Sequence, residues 1–236
     1  MTETGRILLE PAYLLHRTSY RETSLFLEFL TREHGRVSVL GKGLRRKKGA
    51  AYAVFFPFAP LRVSWSARGE LPILTDVEVV AAQPLADARA LGCGLYLNEL
   101  ILRLLAPHDP HPPIFEVYGQ ALHRLAAGDE REAVLRNFEV LLLAELGYEL
   151  PLECDIATGD GLDPGRYYRY IVEQGPVAAL PDAGAVRGSA LIALRTGVFS
   201  NADDLKDAKR LMRGVIAHHL GGRSLKSREL FKYSRT

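Results

Sequence analysis

The chain has 236 residues, of which 47% are hydrophobic, and its formal net charge is only +2. This length and composition allow one large domain or two or three small ones, each with a hydrophobic core. No run approaches the ~18 consecutive apolar residues that a membrane-spanning helix needs, and the start lacks the pattern of a signal peptide, so we expect a cytoplasmic protein. The two cysteines, Cys93 and Cys154, form no CxxC pair, which argues against a disulfide framework or a four-thiolate zinc site.

The first 80 residues have the pattern of short β-strands separated by turns. Five segments are rich in β-branched or aromatic residues: RILLEPAYLLH, TSLFLEFL, RVSVLGKG, FFPFAPLRVSW and LPILTDVEVV. In the second segment, Leu25, Leu27 and Phe29 predict one fully apolar face, and the residues that alternate with them form a mixed face. Gly35 suits a positive φ, so the second and third strands are predicted to form a hairpin. Five short strands favour a barrel of the oligonucleotide-binding (OB) type, with an SH3-like barrel as the structural alternative.

From residue 84 the apolar pattern changes to the helical period. Residues 91–105 are apolar almost all round, which predicts a helix buried in a core. Further helices are predicted over residues 114–126, 131–146, 189–195 and 201–220, with Gly147 and Asn201 as caps. The sequence therefore predicts an α+β multidomain protein, with an OB-type barrel in residues 1–80 and an all-α helical domain in residues 81–236. Residues 151–185, rich in glycine and proline, are predicted to be an irregular insertion in that domain with a small hairpin at residues 167–172.

The charges are distributed unevenly along the chain. Residues 1–80 hold 12 Lys+Arg and 8 Asp+Glu, residues 81–205 hold 9 and 18, and residues 206–236 hold 9 and 2. The protein is therefore basic at both ends and acidic in the middle. Such segregation favours a polyanion as partner over a small neutral substrate, although surface charges can also segregate by chance.

The segment GKGLRRKKG, residues 41–49, holds five cations and three glycines. It could be a nucleotide-binding loop, a nucleic-acid-binding loop or a solvated turn. Lys48 precedes Gly49 and no serine or threonine follows, so the spacing of a phosphate-binding GxxxxGK[ST] loop is absent, as is that of GxGxxG. The two other interpretations remain. The position after the third strand of an OB-type barrel favours nucleic acid, because such barrels commonly bind single strands on the nearby face. The composition fits as well, since phosphate contacts need mainly charge, reach and freedom to adapt.

Aromatic residues follow the basic segment and could serve either as stacking surfaces for bases or as barrel core. They are Tyr52, Phe55, Phe56, Phe58 and Trp65. The pattern favours the core for Phe55 and Phe58 and leaves Tyr52 and Trp65 open.

Signatures of catalysis and metal binding are missing from the sequence. Neither GxSxG nor HExxH occurs, and the adjacent His218 and His219 diverge by about 100° on a helix, so they cannot easily share one ion. We therefore predict that the protein is not an enzyme and has no catalytic residues, no metal site and no cofactor.

The last predicted helix carries a basic stripe beside an apolar face. The stripe consists of Lys206, Lys209, Arg210 and Arg213, which recur at intervals of three to four residues. It is either a charged solvent-facing surface or a dock for an acidic peptide with an apolar tip.

Five segments in order resemble the RecO family of DNA repair and recombination mediators, from near residue 5 to near residue 232. They are SYRETSLFLEFLTREHGRVSVLGKG, LYLNELILRLL, FEVLLLAELGY, YRYIVEQG and LGGRSLKSRELF. The resemblance implies an OB barrel followed by a helical domain. It also implies that the protein binds single- and double-stranded DNA, anneals complementary strands and helps to load the RecA recombinase onto strands coated by single-stranded-DNA-binding protein. The implied partners are RecR and the tail of the single-stranded-DNA-binding protein, and we expect association with the nucleoid.

The resemblance places DNA contacts on the barrel. In the matching segment and the loop after it, the cations are Arg36, Lys42, Arg45, Arg46, Lys47 and Lys48. For the acidic, apolar-ended tail of the single-stranded-DNA-binding protein, the family points to the helical domain. There the first choice is Arg131 and Arg136, and the second is Lys209, Arg210 and Arg213.

One departure from the family concerns the insertion. Many RecO-like proteins carry paired cysteines of a zinc module where this chain has Cys154 alone, so we predict no zinc and a module packed around Tyr167, Tyr168 and Tyr170. The alternative to a DNA-binding mediator is a protein-interaction scaffold of the repair machinery with only incidental DNA contact.

Overall fold

The computed structural model describes residues 5–46, 57–67, 71–81, 84–85 and 87–227. The chain forms two compact units: residues 1–126 with 226–236, and residues 127–225. In the first unit, the carboxylate of Glu99 accepts hydrogen bonds from the backbone amides of Lys226 at 3.0 Å and Ser227 at 2.8 Å, which holds the returning chain. Within the described ranges, no helix combines the length and the apolar character that crossing a membrane would require.

Five strands of the first unit form a closed barrel in the order β1-β2-β3-β5-β4. They are β1 (Arg6–Tyr20), β2 (Ser24–Thr31), β3 (Arg36–Gly41), β4 (Pro60–Ser66) and β5 (Ile73–Val79). The five strands expected from the sequence are thus confirmed. Leu25, Leu27 and Phe29, the predicted apolar face of β2, lie in the hydrophobic core with at most 3% exposure.

The hairpin between β2 and β3 is also confirmed, and it requires glycine at position 35 for two reasons. Its φ is +65°, a left-handed conformation that glycine adopts without a steric penalty. A Cβ atom at this position would lie 2.2 Å from the carbonyl oxygen of Asp109, so any side chain would collide with the backbone.

The 15-residue strand β1 serves two neighbours, because it pairs antiparallel with both β2 and β4. Its register shifts between Leu14 and His16 against β2, and between Ile7 and Glu10 against β4. Such bulges bend a strand and increase its twist, which helps a five-stranded sheet to close.

After the barrel, the described part of the first unit contains two helices, α1 (Ala88–Leu104) and α2 (Pro112–Ala127). The side chain of Asp87 caps α1 by accepting hydrogen bonds from the amides of Arg89 and Ala90, both at 2.9 Å. The expectation of a helix buried in a core holds for one side only, because Leu91 and Leu95 are 42% and 38% exposed. Apolar residues on every side of a helix do not ensure burial when its neighbours cover only one side.

A buried polar network joins α1 and α2 to the barrel. The hydroxyl of Tyr118 in α2 donates to Oδ1 of Asn98 in α1, whose Nδ2 donates to the carbonyl oxygen of Leu15 in β1 at 2.8 Å. Tyr118 and Leu15 are buried, and Asn98 is only 2% exposed. The ring of Tyr13 packs edge-on against Tyr118, with centroids 5.0 Å apart. Because buried polar groups are costly without partners, this network fixes how both helices lie against β1.

The second unit contains three helices and a small sheet. The helices are α3 (Arg131–Glu145), α4 (Gly188–Thr196) and α5 (Ala202–His219), and the sheet has the order β7-β6-β8, from β6 (Tyr167–Ile171), β7 (Gly175–Ala179) and β8 (Val186–Arg187). The predicted hairpin corresponds to β6 and β7. The sequence missed β8, because a two-residue strand is too short to show an alternating pattern.

Hydrogen bonds to buried Asp155 hold the segment before this sheet. Its Oδ1 accepts from the amide of Ala157 at 2.9 Å and its Oδ2 from the amide of Ala178 in β7 at 3.0 Å. Of the three tyrosines expected to pack there, Tyr168 is buried, whereas Tyr167 and Tyr170 are half-buried. Packing and a carboxylate therefore stabilise this segment together.

The network around Asn98 generates a stability prediction. Replacement Asn98→Ala removes two buried hydrogen bonds, one from the Tyr118 hydroxyl and one to the Leu15 carbonyl, so we expect the free energy of unfolding to fall by about 2–4 kcal/mol. Urea denaturation measures this change. Arg89→Ala, on an exposed position of the same helix, is the control and should stay within about 0.5 kcal/mol of wild type. An equally small effect of Asn98→Ala would contradict the role of the network.

Candidate nucleic-acid interface

The turn between β1 and β2 lies beside the end of β3. In the β2–β3 pairing, Leu25 is opposite Gly41, so the residues just before β2 and just after β3 must be neighbours. Together they line an open surface pocket of about 630 Å³. Its lining consists of Tyr20, Arg21, Glu22, Thr23, Ser24, Leu40, Lys42 and Gly43.

Two glycines shape the start of the basic segment. A Cβ at Gly41 would lie 2.1 Å from Cδ1 of Leu44, so glycine is needed for Leu44 to fold back into the barrel core, where it is buried. Gly43 has φ +70° and turns the chain between them. This local geometry leaves Lys42 exposed at the rim of the pocket.

Hydrogen bonds tie the basic segment to the turn. Residues Leu44–Arg46 form a short 3-10 helix, in which the amide of Arg45 donates to the carbonyl oxygen of Thr23 at 3.0 Å. The guanidinium Nη1 of Arg45 donates to the carbonyl oxygen of Arg21 at 2.8 Å. Arg21 itself has φ 50°, uncommon for a residue with a side chain, and its guanidinium lies 5.3 Å from the ring centroid of Tyr20.

The pocket and its rim are positively charged. Arg21, Lys42 and Arg45 are all exposed. Among the described residues that line the pocket, Glu22 is the one that carries a carboxylate. The half-buried ring of Tyr20 adds an aromatic surface. Cations that follow a backbone, next to an aromatic ring on which a base can stack, are the elements of single-strand binding.

The other predicted cations and aromatic residues follow Arg45 in the chain. The backbone of Arg46 ends the 3-10 helix, while Lys47 and Lys48 lie outside the described residues. Tyr52, Phe55 and Phe56 lie outside them too. Phe58 is buried, as expected, but it packs beside Gly94 of α1 and is not in the barrel core cluster. Trp65, left open from the sequence, is 3% exposed and belongs to that core.

Arg36 points into the first unit and makes structural contacts. Its side chain is 16% exposed, and its Nη1 donates to the carbonyl oxygens of Leu102 and of Leu105, the latter at 3.1 Å. Its Nε lies 3.7 Å from Oε2 of Glu28. Because this guanidinium satisfies carbonyls at the end of α1, we expect Arg36 to stabilise the fold rather than to bind phosphates.

Sequence reasoning missed Tyr20 and Arg21, although both belong to the segment SYRET. The signal that could have found them is the hairpin register, since Leu25 opposite Gly41 brings this turn to the basic segment.

Two of the five residues predicted to bind an acidic tail pair with one carboxylate of the second unit. Arg136 and Lys209 both form ion pairs with Glu132. Arg136 also makes two hydrogen bonds to the buried Glu139, and its own side chain is only 5% exposed. The partner of Arg136 is therefore within the chain, because breaking a buried ion pair is costly.

The remaining cations of that set differ in their surroundings. Arg210 donates to the carbonyl oxygens of Ala183, at 2.8 Å, and Ala185, and so supports the loop before β8. Arg131 is half-buried at the start of α3. Arg213 is exposed on α5 and forms no ion pair with the residues that the structure describes.

Comparison with known proteins assigns the chain to a family. The family model for the N-terminal part of recombination protein O matches residues 6–83, and the model for its C-terminal part matches residues 85–229. The chain belongs to the RecO family. The DNA repair protein RecO of Methylococcus capsulatus is 50% identical to it over 232 residues, 98% of this chain and 96% of that protein. The RecO proteins of Aromatoleum aromaticum and Nitrosococcus oceani are 44% and 42% identical over 235 and 230 residues, and each comparison covers at least 94% of both chains.

Membership of the RecO family makes this chain a DNA repair protein. Among the described residues, histidine, cysteine and carboxylate side chains do not converge in groups of three or more that could hold a metal ion. Cys93 is buried and Cys154 is half-buried, and neither is part of a disulfide.

The position of Arg36 generates a test that separates structure from DNA binding. Replacement Arg36→Ala should lower the free energy of unfolding by about 1.5–3 kcal/mol, because carbonyls at the end of α1 lose a charged donor. The affinity of the folded protein for a labelled oligonucleotide should stay within about twofold of wild type, which is less than 0.5 kcal/mol. Arg62→Ala, on an exposed position of β4, serves as the control in both measurements. Wild-type stability with weakened DNA binding would return Arg36 to the interface.

Proposed function

We propose that the protein is a non-enzymatic recombination mediator that binds single- and double-stranded DNA and anneals complementary strands. It helps to load the RecA recombinase onto strands coated by single-stranded-DNA-binding protein, and it acts in the cytoplasm, in association with the nucleoid. The observation that carries this proposal is the convergence of Tyr20, Arg21, Lys42 and Arg45 around one open pocket of the barrel.

The barrel is proposed to be of the OB type. Five strands, closure in the order β1-β2-β3-β5-β4 and a pocket at the end of β3 support this assignment. We propose an OB-fold DNA-binding domain in residues 1–80 and a helical domain in residues 81–236. The boundary between the two family matches, at residues 83 and 85, supports this sequence division, although α1 and α2 belong to the same compact unit as the barrel.

The chemistry of the pocket suits annealing because it favours the DNA backbone over the bases. Lys42, Arg21 and Arg45 provide positive charges for the phosphates of DNA. Binding of the phosphates releases their counterions, whatever the base sequence of the DNA. Tyr20 provides a surface on which any base can stack. A strand held in this way keeps most Watson–Crick edges available to a complementary strand.

The second unit is proposed to bind the acidic tail of the single-stranded-DNA-binding protein. Arg213 is the first choice, because it is exposed and pairs with no carboxylate of the described residues. Lys209 and Arg131 remain predictions for the same contact. RecR is the other proposed partner, and the fold assigns no residues to that contact.

Neutralising two cations of the pocket tests the DNA-binding proposal. The double variant Arg21→Gln, Lys42→Gln should weaken binding of a labelled oligothymidine about tenfold, a loss of ~1.4 kcal/mol. It should also make the slope of log K against log[salt] less negative by about 1.4, or about 0.7 for each lost phosphate contact on a single strand. Fluorescence anisotropy over a series of salt concentrations measures both quantities.

The matched control is Arg166→Gln, Lys206→Gln, which removes two exposed cations of the second unit and should leave the slope unchanged. Tyr20→Leu should weaken single-strand binding by about 1–3 kcal/mol, whereas Tyr20→Phe, which keeps a stacking ring, should not. An unchanged slope in the Arg21, Lys42 double variant would remove this pocket from the DNA-binding site. Binding of an acidic tail peptide without DNA binding by the wild type would favour the scaffold function instead.

A further inference from the structure

A second surface pocket, of about 350 Å³, lies entirely within the second unit. It is formed by the chain after α3, by the turn between β6 and β7, and by the last turns of α5. Its lining consists of Gly147, Tyr148, Glu149, Leu150, Tyr170, Val172, Glu173, Val215 and His219. We refer to these residues as the acidic aromatic pocket. Its volume is near the lower end of the range for ligand sites, about 300–1,000 Å³, and suits one side chain better than a nucleotide.

The charge of this pocket is opposite to that of the DNA-binding candidate. Glu149 and Glu173 contribute carboxylates, and none of the described residues that line the pocket is a lysine or an arginine. Burial, followed by the neighbouring charge of His218, lowers the pKa of His219, so that its imidazole is neutral at neutral pH. A pocket with two carboxylates and neither lysine nor arginine in its described lining repels phosphates and acidic peptides and attracts cations.

Three rings form much of its wall. Tyr148 stacks on His219 with ring centroids 4.3 Å apart and an interplanar angle of 29°. Burial raises the pKa of Tyr170 to about 12, so its phenol stays neutral under physiological conditions and adds no charge. Neutral aromatic faces attract ammonium and guanidinium groups, and such groups are bound most tightly where rings and carboxylates act together.

Glu173 occupies a position at which glycine would be easier to accommodate. Its φ is 67°, in the turn where the amide of Gln174 donates to the carbonyl oxygen of Ile171 at 3.1 Å. The ring nitrogen Nε2 of His218 lies 3.3 Å from Oε1 of Glu173 and holds the carboxylate in place. The turn therefore keeps a carboxylate at the pocket despite the left-handed conformation that it requires of the backbone.

We propose that the acidic aromatic pocket binds the side chain of an arginine in a basic segment of a partner protein. The guanidinium would pair with the carboxylates of Glu149 and Glu173 while its flat face lies against the rings of the wall. Charge complementarity decides the occupant, because two carboxylates with no lysine or arginine in the described lining repel DNA and an acidic tail. This site is additional to the contacts proposed above for DNA and for the acidic tail.

Fluorescence anisotropy with the full-length protein and a fluorescein-labelled peptide of sequence GRGRGRG tests the proposal. The reference peptide has citrulline in place of each arginine, which keeps the shape but removes the charge. We expect saturable binding of the arginine peptide and at least about tenfold weaker binding of the citrulline peptide.

The variant that tests the site is Glu149→Gln, Glu173→Gln, which should weaken binding of the arginine peptide about tenfold. The matched control is Glu153→Gln, the same chemical change at an exposed carboxylate outside the pocket lining, and it should bind as wild type does. The variant Arg21→Gln, Lys42→Gln should also bind the arginine peptide normally, so a failure of this proposal can be distinguished from a failure of the DNA-binding proposal.

Three results with the arginine peptide would overturn the inference. They are the absence of saturable binding, equal affinity for the citrulline peptide, and an equal loss of affinity in Glu153→Gln. Spermidine that binds the wild type but not the Glu149, Glu173 variant, while the arginine peptide fails to bind, would show that the pocket takes a free polyamine and would overturn the choice of a protein partner.

Discussion

The pairing of β2 with β3 is the constraint on which the proposed DNA-binding surface depends. Leu25, Leu27 and Phe29 are buried from one face of β2, so a shift of one residue would turn that whole face towards solvent and lose the barrel core. The register that burial selects places Leu25 opposite Gly41. The turn that carries Arg21 is thereby brought to the segment that carries Lys42, although the two are distant in sequence. Core packing, not any attraction between these cations, assembles the pocket.

The number of basic residues in a segment says little about where a polyanion binds, because many cations have partners within the fold. Arg36 satisfies carbonyls at the end of α1, Arg136 pairs with buried Glu139, and Arg210 supports the loop before β8. Lys42, by contrast, is exposed on a rim that two glycines shape. The same argument applies with opposite sign to the second unit, where Glu149 and Glu173 line a pocket whose described lining has neither lysine nor arginine.

Much of the secondary structure could be predicted from the sequence, because alternation and helical periodicity record which side of each element is buried. The five barrel strands, the hairpin at Gly35 and the cap at Gly147 followed from such local patterns. The hydrogen-bond partners of long side chains could not be predicted, since Arg36 donates to carbonyl oxygens 66 and 69 residues away in the chain. The buried role of Asn98 and the exposure of Leu91 likewise depend on neighbours that no local pattern identifies. Of the DNA-binding candidate, the basic segment was predicted, and the turn with Tyr20 and Arg21 was not.

The most direct test of the central claim is amide hydrogen exchange of the wild-type protein, measured by mass spectrometry with and without a bound oligothymidine. If the β2–β3 register builds the DNA-binding surface, exchange should slow together in residues 20–24 and 41–45, two segments that only the fold brings together. Slower exchange confined to residues 127–225, with no change in either of these segments, would contradict the account.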